Sequence, residues 1–321
     1  MGYAEAQYAA DTAIKGIGAL IPDLSFNSKL VCRSSIEEDA GKLVTVSDGT
    51  NAWSKNLSLN LEAAFDLPGK ARYTITVSSS GIVEFTKNVD LSAGEYMEVE
   101  VGLNTNTWTG LKNILNAHLE GTYCTIGDEI VETLNTGEQL IYRIAAIDHD
   151  ADHQLIFETR YCMETARQMN PTDTNAGGWN ACTLREWLNG SFYNSLSEEL
   201  RSVITERTFK TSIGSQQTAL QSATDKIWLP REWEIFGTTT YAAATEHSQG
   251  SAAQFPIYAV AANRVKTYGK SGGSADWWLS SPYAGGSTYF CAVYTSGGAH
   301  HHGASTANGV VPCFQIVSSE S

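Results

Sequence analysis

The sequence predicts a two-part α+β protein, in which an all-β N-terminal part precedes a part that mixes helices and strands. Short strand-like segments recur between residues 29 and 103, whereas helical and strand-like segments alternate from residue 104 onward. Gly residues number 28, and Ser, Thr and Asn are also abundant, which favours a loop-rich fold over a helical bundle. With 321 residues, the chain is long enough for two or three domains.

Residues 1–28 are predicted to form a helical connector, because Ala, Tyr and Ile recur there at helical spacing. Residues 29–103 follow as short strands separated by turn signals such as Asp48-Gly49. Alternating apolar positions, seen best at Tyr73, Ile75 and Val77, turn one face inward and predict an immunoglobulin-like β-sandwich. The predicted strands cover residues 29–32, 42–48, 51–57, 61–67, 71–79, 82–89 and 95–103.

Residues 104–321 are predicted to form one α+β domain. Thr107 or Asn106 can cap a helix over 107–119, and Thr183 with Glu186 has the spacing of a capping box. Further helices are predicted at 183–196, 197–204, 230–237 and 255–268, and strands at 139–148, 154–162, 225–230, 276–281, 289–295 and 309–317.

The charge balance argues against two classes of partner. Lys plus Arg total 21 against 35 Asp plus Glu, so the net charge is -14 and neutralisation of nucleic-acid phosphates or anionic lipids is not expected. No apolar run approaches the roughly 20 residues of a membrane helix. The N-terminal residues lack the charged start and apolar centre of a signal peptide. We therefore expect no nucleic-acid partner, no direct membrane insertion and no recognisable signal peptide.

An acidic segment has part of the spacing of a calcium loop. Asp148, Asp150 and Asp152 occupy alternate positions, but His153 replaces the required Gly and Thr159 the final Glu. A polar turn is therefore favoured over an EF-hand-like metal site.

The triplet His300, His301 and His302 resembles a ligand set, but neighbours on a strand point to opposite faces. Adventitious metal binding remains the alternative. The chain contains no GxSxG, HExxH or glycine-rich phosphate loop. We therefore predict a non-enzymatic protein with no cofactor and no metal site.

Cysteines and tryptophans are predicted to be mainly structural. Six cysteines are spread over the chain without a CxxC pair, which favours buried free thiols over disulfides. Trp277 and Trp278 are better explained as core anchors than as a stacking platform for sugars or bases. The remaining tryptophans assigned to the core of this part are Trp179, Trp187, Trp228 and Trp233.

The segment after these tryptophans is unusual in composition. Residues 277–319 contain no Asp, Glu, Lys or Arg, although about seven would be expected by proportion. Residues 283–308 are rich in Gly, Ser, Thr, Ala, Tyr and His, the residue types that antibody combining loops use for contact area and adaptability. Side chains at even positions from 292 to 300 are predicted to share one strand face, and those at odd positions the other. This composition predicts a ligand-binding surface, with a Gly/Ser-rich structural loop as the alternative.

An ordered set of aromatic motifs gives a family resemblance over residues 140–317. The motifs are MNPTDTNAGGWNACTLREWLNGSFYNSL, DKIWLP, AANRVKTYG, DWWLSSPYAGG and NGVVPCFQI. The chain resembles the variable proteins of diversity-generating retroelements, which have a C-type-lectin-like fold and occur in phage tails and gut bacteria. The resemblance implies a lectin-like domain over 104–321 with a variable region at about 277–317. Residues 29–103 resemble the small sandwich modules of phage tails and bacterial surface proteins.

In that family, misreading of template adenines turns AAY codons into NNY codons, which never specify Lys, Glu, Gln, Met or Trp. Residues 283–308 contain none of these five. Trp277, Trp278, Leu279, Pro282, Val293, Gly309, Val310 and Phe314 are expected to be scaffold. The resemblance implies that the diversified, ligand-binding positions are Tyr283, Ala284, Gly286, Ser287, Tyr289, Ala292, Tyr294, Ser296, Gly298, His300, His301, His302, Gly303 and Thr306.

Two positions depart from the family pattern. Ser280 stands where relatives often have Arg, and Val311 replaces a residue that is commonly Arg or Ala. The EPN, QPD and WND elements of calcium-dependent sugar-binding lectins are also absent. Ligand binding is therefore expected to be metal-free.

These expectations describe a hypervariable recognition protein on a phage tail or a bacterial cell surface. Its partner would be a protein or glycan on a cell surface, and it would assemble with tail or surface structural proteins. Two alternatives remain open: an enzyme resembling sulfatase-modifying oxidases, with Cys291 and Cys313 as its copper or redox pair, and a purely structural tail or adhesin component.

Overall fold

The computed structural model describes residues 27–34, 39–69, 71–101, 104–247 and 254–319. The described chain is built mostly of β-sheets with short helices, and it separates into two compact units, up to Ala117 and from His118. Residues 1–26 of the predicted connector lie outside the described residues. Asn27 and Ser28, also assigned to the connector, instead begin the first strand.

The first unit contains two β-sheets, and each predicted strand of residues 29–103 is confirmed. The strands are β1 (Asn27–Arg33), β2 (Leu43–Ser47), β3 (Ala52–Asn56), β4 (Glu62–Pro68), β5 (Ala71–Ser79), β6 (Ile82–Leu91) and β7 (Tyr96–Glu100). One sheet has the order β4-β1-β7 and the other β3-β2-β5-β6. The β1–β7 pairing is parallel, whereas β1 and β4 are antiparallel.

Apolar side chains from both sheets share one core. On β5, Tyr73, Ile75 and Val77 are fully buried, as their alternation predicts, and they pack with Leu30 of β1 and Phe65 of β4. The first unit is therefore a two-sheet sandwich.

Helix α1 (Trp108–Asn116) also belongs to the first unit. The Thr107 hydroxyl accepts a hydrogen bond from the Gly110 amide at 3.1 Å, so Thr107 caps the helix as predicted. The unit boundary follows this helix, whereas the sequence predicted a boundary near residue 103.

The second unit is organised around a four-stranded antiparallel sheet and a three-stranded antiparallel sheet. The strands are β8 (Glu129–Thr133), β9 (Gln139–Ile147), β10 (Gln154–Thr159), β11 (Arg207–Ser212), β12 (Leu220–Asp225), β13 (Lys266–Thr267), β14 (Ser274–Ala275), β15 (Trp277–Pro282), β16 (Tyr289–Val293), β17 (Ala299–Gly303) and β18 (Cys313–Val317). The larger sheet has the order β18-β10-β9-β8 and the smaller β15-β16-β17. Two hairpins, β11-β12 and β13-β14, complete the pairing.

The helices of the second unit are short. They are α2 (Glu120–Tyr123), α3 (Thr183–Trp187), α4 (Tyr193–Ser195), α5 (Glu198–Val203), α6 (Glu232–Phe236) and α7 (Ala244–His247). A π-helical turn covers Leu188–Phe192, and 3-10 turns cover Gly178–Ala181, Pro256–Ala259 and Ala261–Arg264. None of the helices in the described residues combines the length and apolar character that a membrane crossing needs.

The structure contradicts the sequence predictions at Thr183 and over residues 255–268 and 225–230. Thr183 is the first helical residue rather than a side-chain cap, and its amide donates to Asn170 Oδ1 at 2.9 Å. The predicted helix over 255–268 is replaced by the two 3-10 turns, because Val260 is extended and Lys266 enters β13, where its ammonium group pairs with buried Glu158. In place of the predicted strand over 225–230, Asp225 ends β12 and Trp228 forms a single bridge with Cys313.

Aromatic side chains fill the core of the second unit. Trp277 and Trp278 are completely buried, and their indole N–H groups donate to the carbonyl groups of Arg264 and Arg167 at 2.9 and 2.7 Å. Trp179, Trp228 and Trp233 are also fully buried. Trp187, predicted to be a core residue, is only half-buried.

Candidate functional site

The predicted variable positions lie on the β16–β17 hairpin and on the connections before and after it. The loop from Tyr283 to Thr288 joins β15 to β16, and a tight turn over Tyr294–Gly298 joins β16 to β17. Half-buried positions are Tyr283, Ala284, Gly286, His300, His301, His302 and Gly303. Exposed positions are Ser287, Tyr289, Tyr294, Ser296, Gly298 and Thr306.

Ala292 does not fit a surface role. Its side chain is completely buried in the centre of β16. The prediction of one strand through residues 292–300 is wrong, because Gly297 adopts a φ of 84° and the chain turns back there. The Tyr294 amide donates to the Gly298 carbonyl at 2.8 Å, closing the turn. The even-odd pattern therefore does not define one face.

His301 lies at the centre of a group of aromatic rings. Its imidazole stacks on Tyr283 with ring centroids 4.2 Å apart and an interplanar angle of 15°. Tyr241 and Tyr289 approach the same ring at centroid distances of 4.7 and 5.3 Å. Such offset and edge contacts favour a fixed arrangement of the rings.

A second stack continues from His300. The His300 ring stacks on Tyr294 at 5.1 Å and on His302 at 4.6 Å. His302 Nε2 lies 2.8 Å from the Asp276 carboxylate. We call the two stacks together the aromatic cluster: Tyr241, Tyr283, Tyr289, Tyr294, His300, His301 and His302.

The aromatic cluster lowers the pKa of His301 below its ordinary value. Partial burial of the ring is the main cause, and the neighbouring His300 and His302 add repulsion against a positive charge. The neutral imidazole is therefore favoured at the centre of the cluster. Residues 277–319 contain no Asp, Glu, Lys or Arg, so the carboxylates next to the cluster come from outside that stretch.

One of those carboxylates, Asp173, contacts the segment after β17. It accepts hydrogen bonds from the Ser305 amide at 2.9 Å and the Ser305 hydroxyl at 2.7 Å, which lower its pKa. A Cβ at Gly303 would lie 2.7 Å from the same carboxylate. By contrast, a Cβ at Gly298 would have only Ser296 Oγ nearby, at 3.9 Å, so Gly298 tolerates substitution better than Gly303.

The completely buried Asn175 holds the loop that carries Tyr283 and Tyr289. The amide nitrogen of Asn175 donates to the carbonyl groups of Gly286 and Tyr289, both at 2.8 Å, and more weakly to that of Tyr283 at 3.4 Å. The Asn175 backbone amide donates to the Ser287 carbonyl at 2.8 Å. The backbone of the loop is thereby fixed without help from the variable side chains.

Tyr241, which is not among the predicted positions, also belongs to the site. The buried Glu232 carboxylate accepts hydrogen bonds from the backbone N–H groups of Thr240, Tyr241 and Ala242 at 2.7–3.0 Å. These bonds fix the segment beside Tyr283. The Ala284 amide donates to the Tyr241 carbonyl at 2.8 Å. The available signal was the uncharged stretch GTTTYAAAT, whose composition matches that of residues 283–308.

A second buried carboxylate lies under β15. Glu246 is fully buried and accepts hydrogen bonds from the Ser212 amide at 2.8 Å and the Ser281 hydroxyl at 2.5 Å. Burial raises the pKa of Glu246 to about 7, against the lowering effect of these two donors. Ser281 Oγ also accepts the Glu232 amide at 3.0 Å, which links both carboxylates to this strand.

The other candidate groups do not converge on a reactive centre. Within the described ranges, no three His, Cys, Asp or Glu side chains are placed to hold a metal ion. Asp150 instead pairs with Arg207, and Asp148 accepts the Gln154 amide at 3.1 Å. Cys291 and Cys313 are free, fully buried thiols whose pKa burial raises well above the ordinary value.

Comparisons with known proteins add a family match. A family model described as "Domain of unknown function (DUF6273)" matches residues 151–318, just over half of the chain. No curated protein matches the chain.

Two solved structures are similar over part of their length. "The Bacillus anthracis TIE protein" is 10% identical with a TM-score of 0.20, covering 42% of this chain and 28% of that one. The pilus adhesin RrgA from Streptococcus pneumoniae is 11% identical with a TM-score of 0.17, covering 62% of this chain and 33% of that one. The chain thus spans about a third or less of either structure, and neither likeness establishes a shared fold.

Replacement of Asn175 by Ala is expected to destabilise the second unit by about 2–4 kcal/mol, because buried carbonyl groups of the 283–289 loop lose their donor. Urea unfolding followed by near-UV circular dichroism measures this loss. Thr306→Ala, at an exposed position, is the control and should stay within about 0.5 kcal/mol of the wild type. An equally small effect of Asn175→Ala would contradict the assigned role of its amide.

Replacement of Glu246 by Gln is expected to change how stability depends on pH. The folded protein retains the Glu246 proton up to a pKa of about 7, whereas the unfolded chain loses it near 4.5. The contribution of Glu246 to the free energy of unfolding is therefore fully present below pH 4.5, and it is lost as the pH rises to 7. The neutral Gln avoids this loss, so its stability relative to wild type should rise by roughly 1–3 kcal/mol between pH 5 and pH 8. Parallel pH profiles in urea unfolding would refute the raised pKa.

Proposed function

The chain belongs to the DUF6273 family, and from this premise we propose that it is a non-enzymatic, hypervariable ligand-binding protein. In this proposal the second unit displays retroelement-diversified residues on the β16–β17 hairpin and its adjoining loops. The ligand is a protein or glycan receptor on a cell surface, and the first unit spaces or attaches the second.

One observation supports the proposal most strongly: the residues that hold the loop backbones differ from the variable residues whose side chains reach the surface. The backbone of the 283–289 loop is held by Asn175 and that of 240–242 by Glu232, and neither residue belongs to the variable set. Tyr289 and Tyr294, by contrast, are 40% and 44% exposed. Exposed positions of this kind can change without removing the hydrogen bonds that hold the loops, as a diversified binding surface requires.

The chemistry of the aromatic cluster supports recognition by packing. Tyr and His rings offer large contact areas with few rotatable bonds, and the best-placed aromatic side chains contribute roughly 1–3 kcal/mol each at protein interfaces. Residues 283–308 carry no formally charged carboxylate or ammonium group. Binding is therefore proposed to be metal-free and only weakly dependent on salt.

The proposal includes a finer description of both folds. The two-sheet sandwich with its parallel β1–β7 pairing supports an immunoglobulin-like module, and the motif order from MNPTDTN to VVPCFQI supports a C-type-lectin-like second unit. From the family resemblance, the proposed location is a phage tail or a bacterial surface, where the protein would assemble with structural proteins. The oxidase alternative has less support, because catalysis by Cys291 or Cys313 requires an accessible thiolate and both thiols are buried.

Exposed variable positions are expected to tolerate other NNY-encoded residues. Thr306→Asn should change the free energy of unfolding by no more than about 0.5 kcal/mol, and Tyr289→Asn and Tyr294→Ser by no more than about 1 kcal/mol, because their ring contacts within the aromatic cluster are lost. Val293→Asn, also NNY-encoded but at a buried scaffold position, should cost about 3 kcal/mol or more. Urea unfolding measures all four variants, and equal losses at exposed and buried positions would argue against a display surface.

Diversification itself is tested in the DNA around the gene. We expect a reverse-transcriptase gene and a near-identical template repeat that differs from the coding repeat only at template adenines. Related copies of the gene should then differ at codons for exposed positions such as 289, 294 and 306. Copies that are invariant at these positions but differ elsewhere would exclude diversification and favour a structural tail or adhesin component.

A further inference from the structure

A cleft of about 450 Å³ borders the C-terminal end of the variable segment. Ala307 lies on its wall, and the side chain of the adjacent Gln168 donates to the Ser305 carbonyl. Arg167 and Trp187 form its cationic and aromatic surfaces, and none of the side chains lining the cleft is acidic. The cleft thus has a cationic lining in a chain whose net charge is -14.

Arg167 and Trp187 are stacked against each other. The guanidinium carbon of Arg167 lies 3.6 Å from the centroid of the Trp187 ring, which is a close cation–π contact. Stacking uses the flat face of the guanidinium group and leaves its in-plane N–H groups for other partners. An in-plane pair of N–H groups matches the two oxygens of a carboxylate.

Among the residues that the structure describes, none accepts a hydrogen bond from the Arg167 guanidinium, and no carboxylate lies within ion-pair distance of it. Its Nε atom is buried without an acceptor, and partial burial lowers its pKa. By contrast, Arg185 and Arg160 of the same unit pair with Asp225 and Glu129. Arg167 is thus a partly desolvated cation that lacks a counter-charge in contact.

Hydrogen bonds also hold the backbone around the cleft. The backbone of Arg167 pairs with that of Asn308 at 2.9 and 3.0 Å, and its carbonyl group accepts the Trp278 indole N–H. Asn170, which also lines the cleft, accepts a hydrogen bond from the Thr183 amide at 2.9 Å and donates one to the Thr174 carbonyl at 2.8 Å. These contacts pre-organise the walls before any ligand enters.

We propose that this cleft binds the carboxylate group of a ligand, with the Arg167 guanidinium pairing with both carboxylate oxygens and Trp187 packing behind it. None of the residues that line the cleft belongs to the aromatic cluster, and Ala307 on its wall is not one of the predicted variable positions, so the site does not depend on diversification. The carboxylate can belong to an acidic sugar or to the C-terminus of a peptide, because both present the same planar anion.

The test is a titration of the intact protein followed by ¹H–¹⁵N NMR at the Trp187 indole N–H. Glucuronate supplies a carboxylate on a sugar, N-acetylalanine a carboxylate without the sugar, and glucose the sugar without a carboxylate. We expect saturable shifts with dissociation constants on the order of millimolar for one or both carboxylates and no saturation with glucose. Tighter binding of glucuronate would assign an acidic sugar, and tighter binding of N-acetylalanine would assign a peptide C-terminus.

Variants of Arg167 test the assigned contact. Arg167→Gln should weaken carboxylate binding at least tenfold, and Arg167→Lys, which keeps the charge but loses the planar pair of donors, should weaken it less. Arg160→Gln removes the same charge from an exposed arginine and should leave binding unchanged. Unfolding curves of the variants confirm that each remains folded.

Three results would overturn the proposal. They are equal binding of glucose and glucuronate, unchanged carboxylate affinity in Arg167→Gln, and equal weakening by Arg160→Gln. The last would indicate a general electrostatic effect of net charge rather than a contact at Arg167.

Discussion

The backbone between Tyr283 and Tyr289 is irregular, and one buried amide, that of Asn175, satisfies carbonyl groups along it. Leaving buried carbonyl groups without donors costs free energy, so this amide fixes the course of the loop. The positions of the Tyr283 and Tyr289 rings follow from that course. The aromatic surface therefore depends on a residue more than one hundred positions earlier in the chain.

Buried carboxylates play the corresponding role on the neighbouring side. Glu232 gathers three successive backbone N–H groups at residues 240–242, and Glu246 is linked to Glu232 through Ser281. Removing carboxylates from water is costly unless donors surround them. The raised pKa of Glu246 shows that its donors offset this cost only in part. A buried carboxylate whose desolvation is only partly compensated therefore lies next to β15, the strand that leads into the site.

Sequence reasoning succeeded where periodicity determines structure. The strands of the first unit follow from alternation and turn residues, and Thr107 caps its helix as its residue type predicts. The predictions fail where tertiary packing decides the structure: Val260 and Lys266 interrupt a predicted helix, Ala292 is buried in the centre of β16, and Trp187 lines a cleft. The amino-acid composition is enough to identify residues 283–308 as a candidate binding surface. Asn175 and Tyr241 come close to these residues only in the tertiary fold.

Tyr241 has a consequence for any repertoire built on this scaffold. It lies outside the stretch expected to diversify, yet its ring contacts both Tyr283 and His301. Every member would therefore share one unchanging phenol beside its altered neighbours. Such an inherited contact would bias the whole collection towards targets that accept an aromatic group at that point, and the range of ligands it could bind would be narrower than the number of codon combinations suggests.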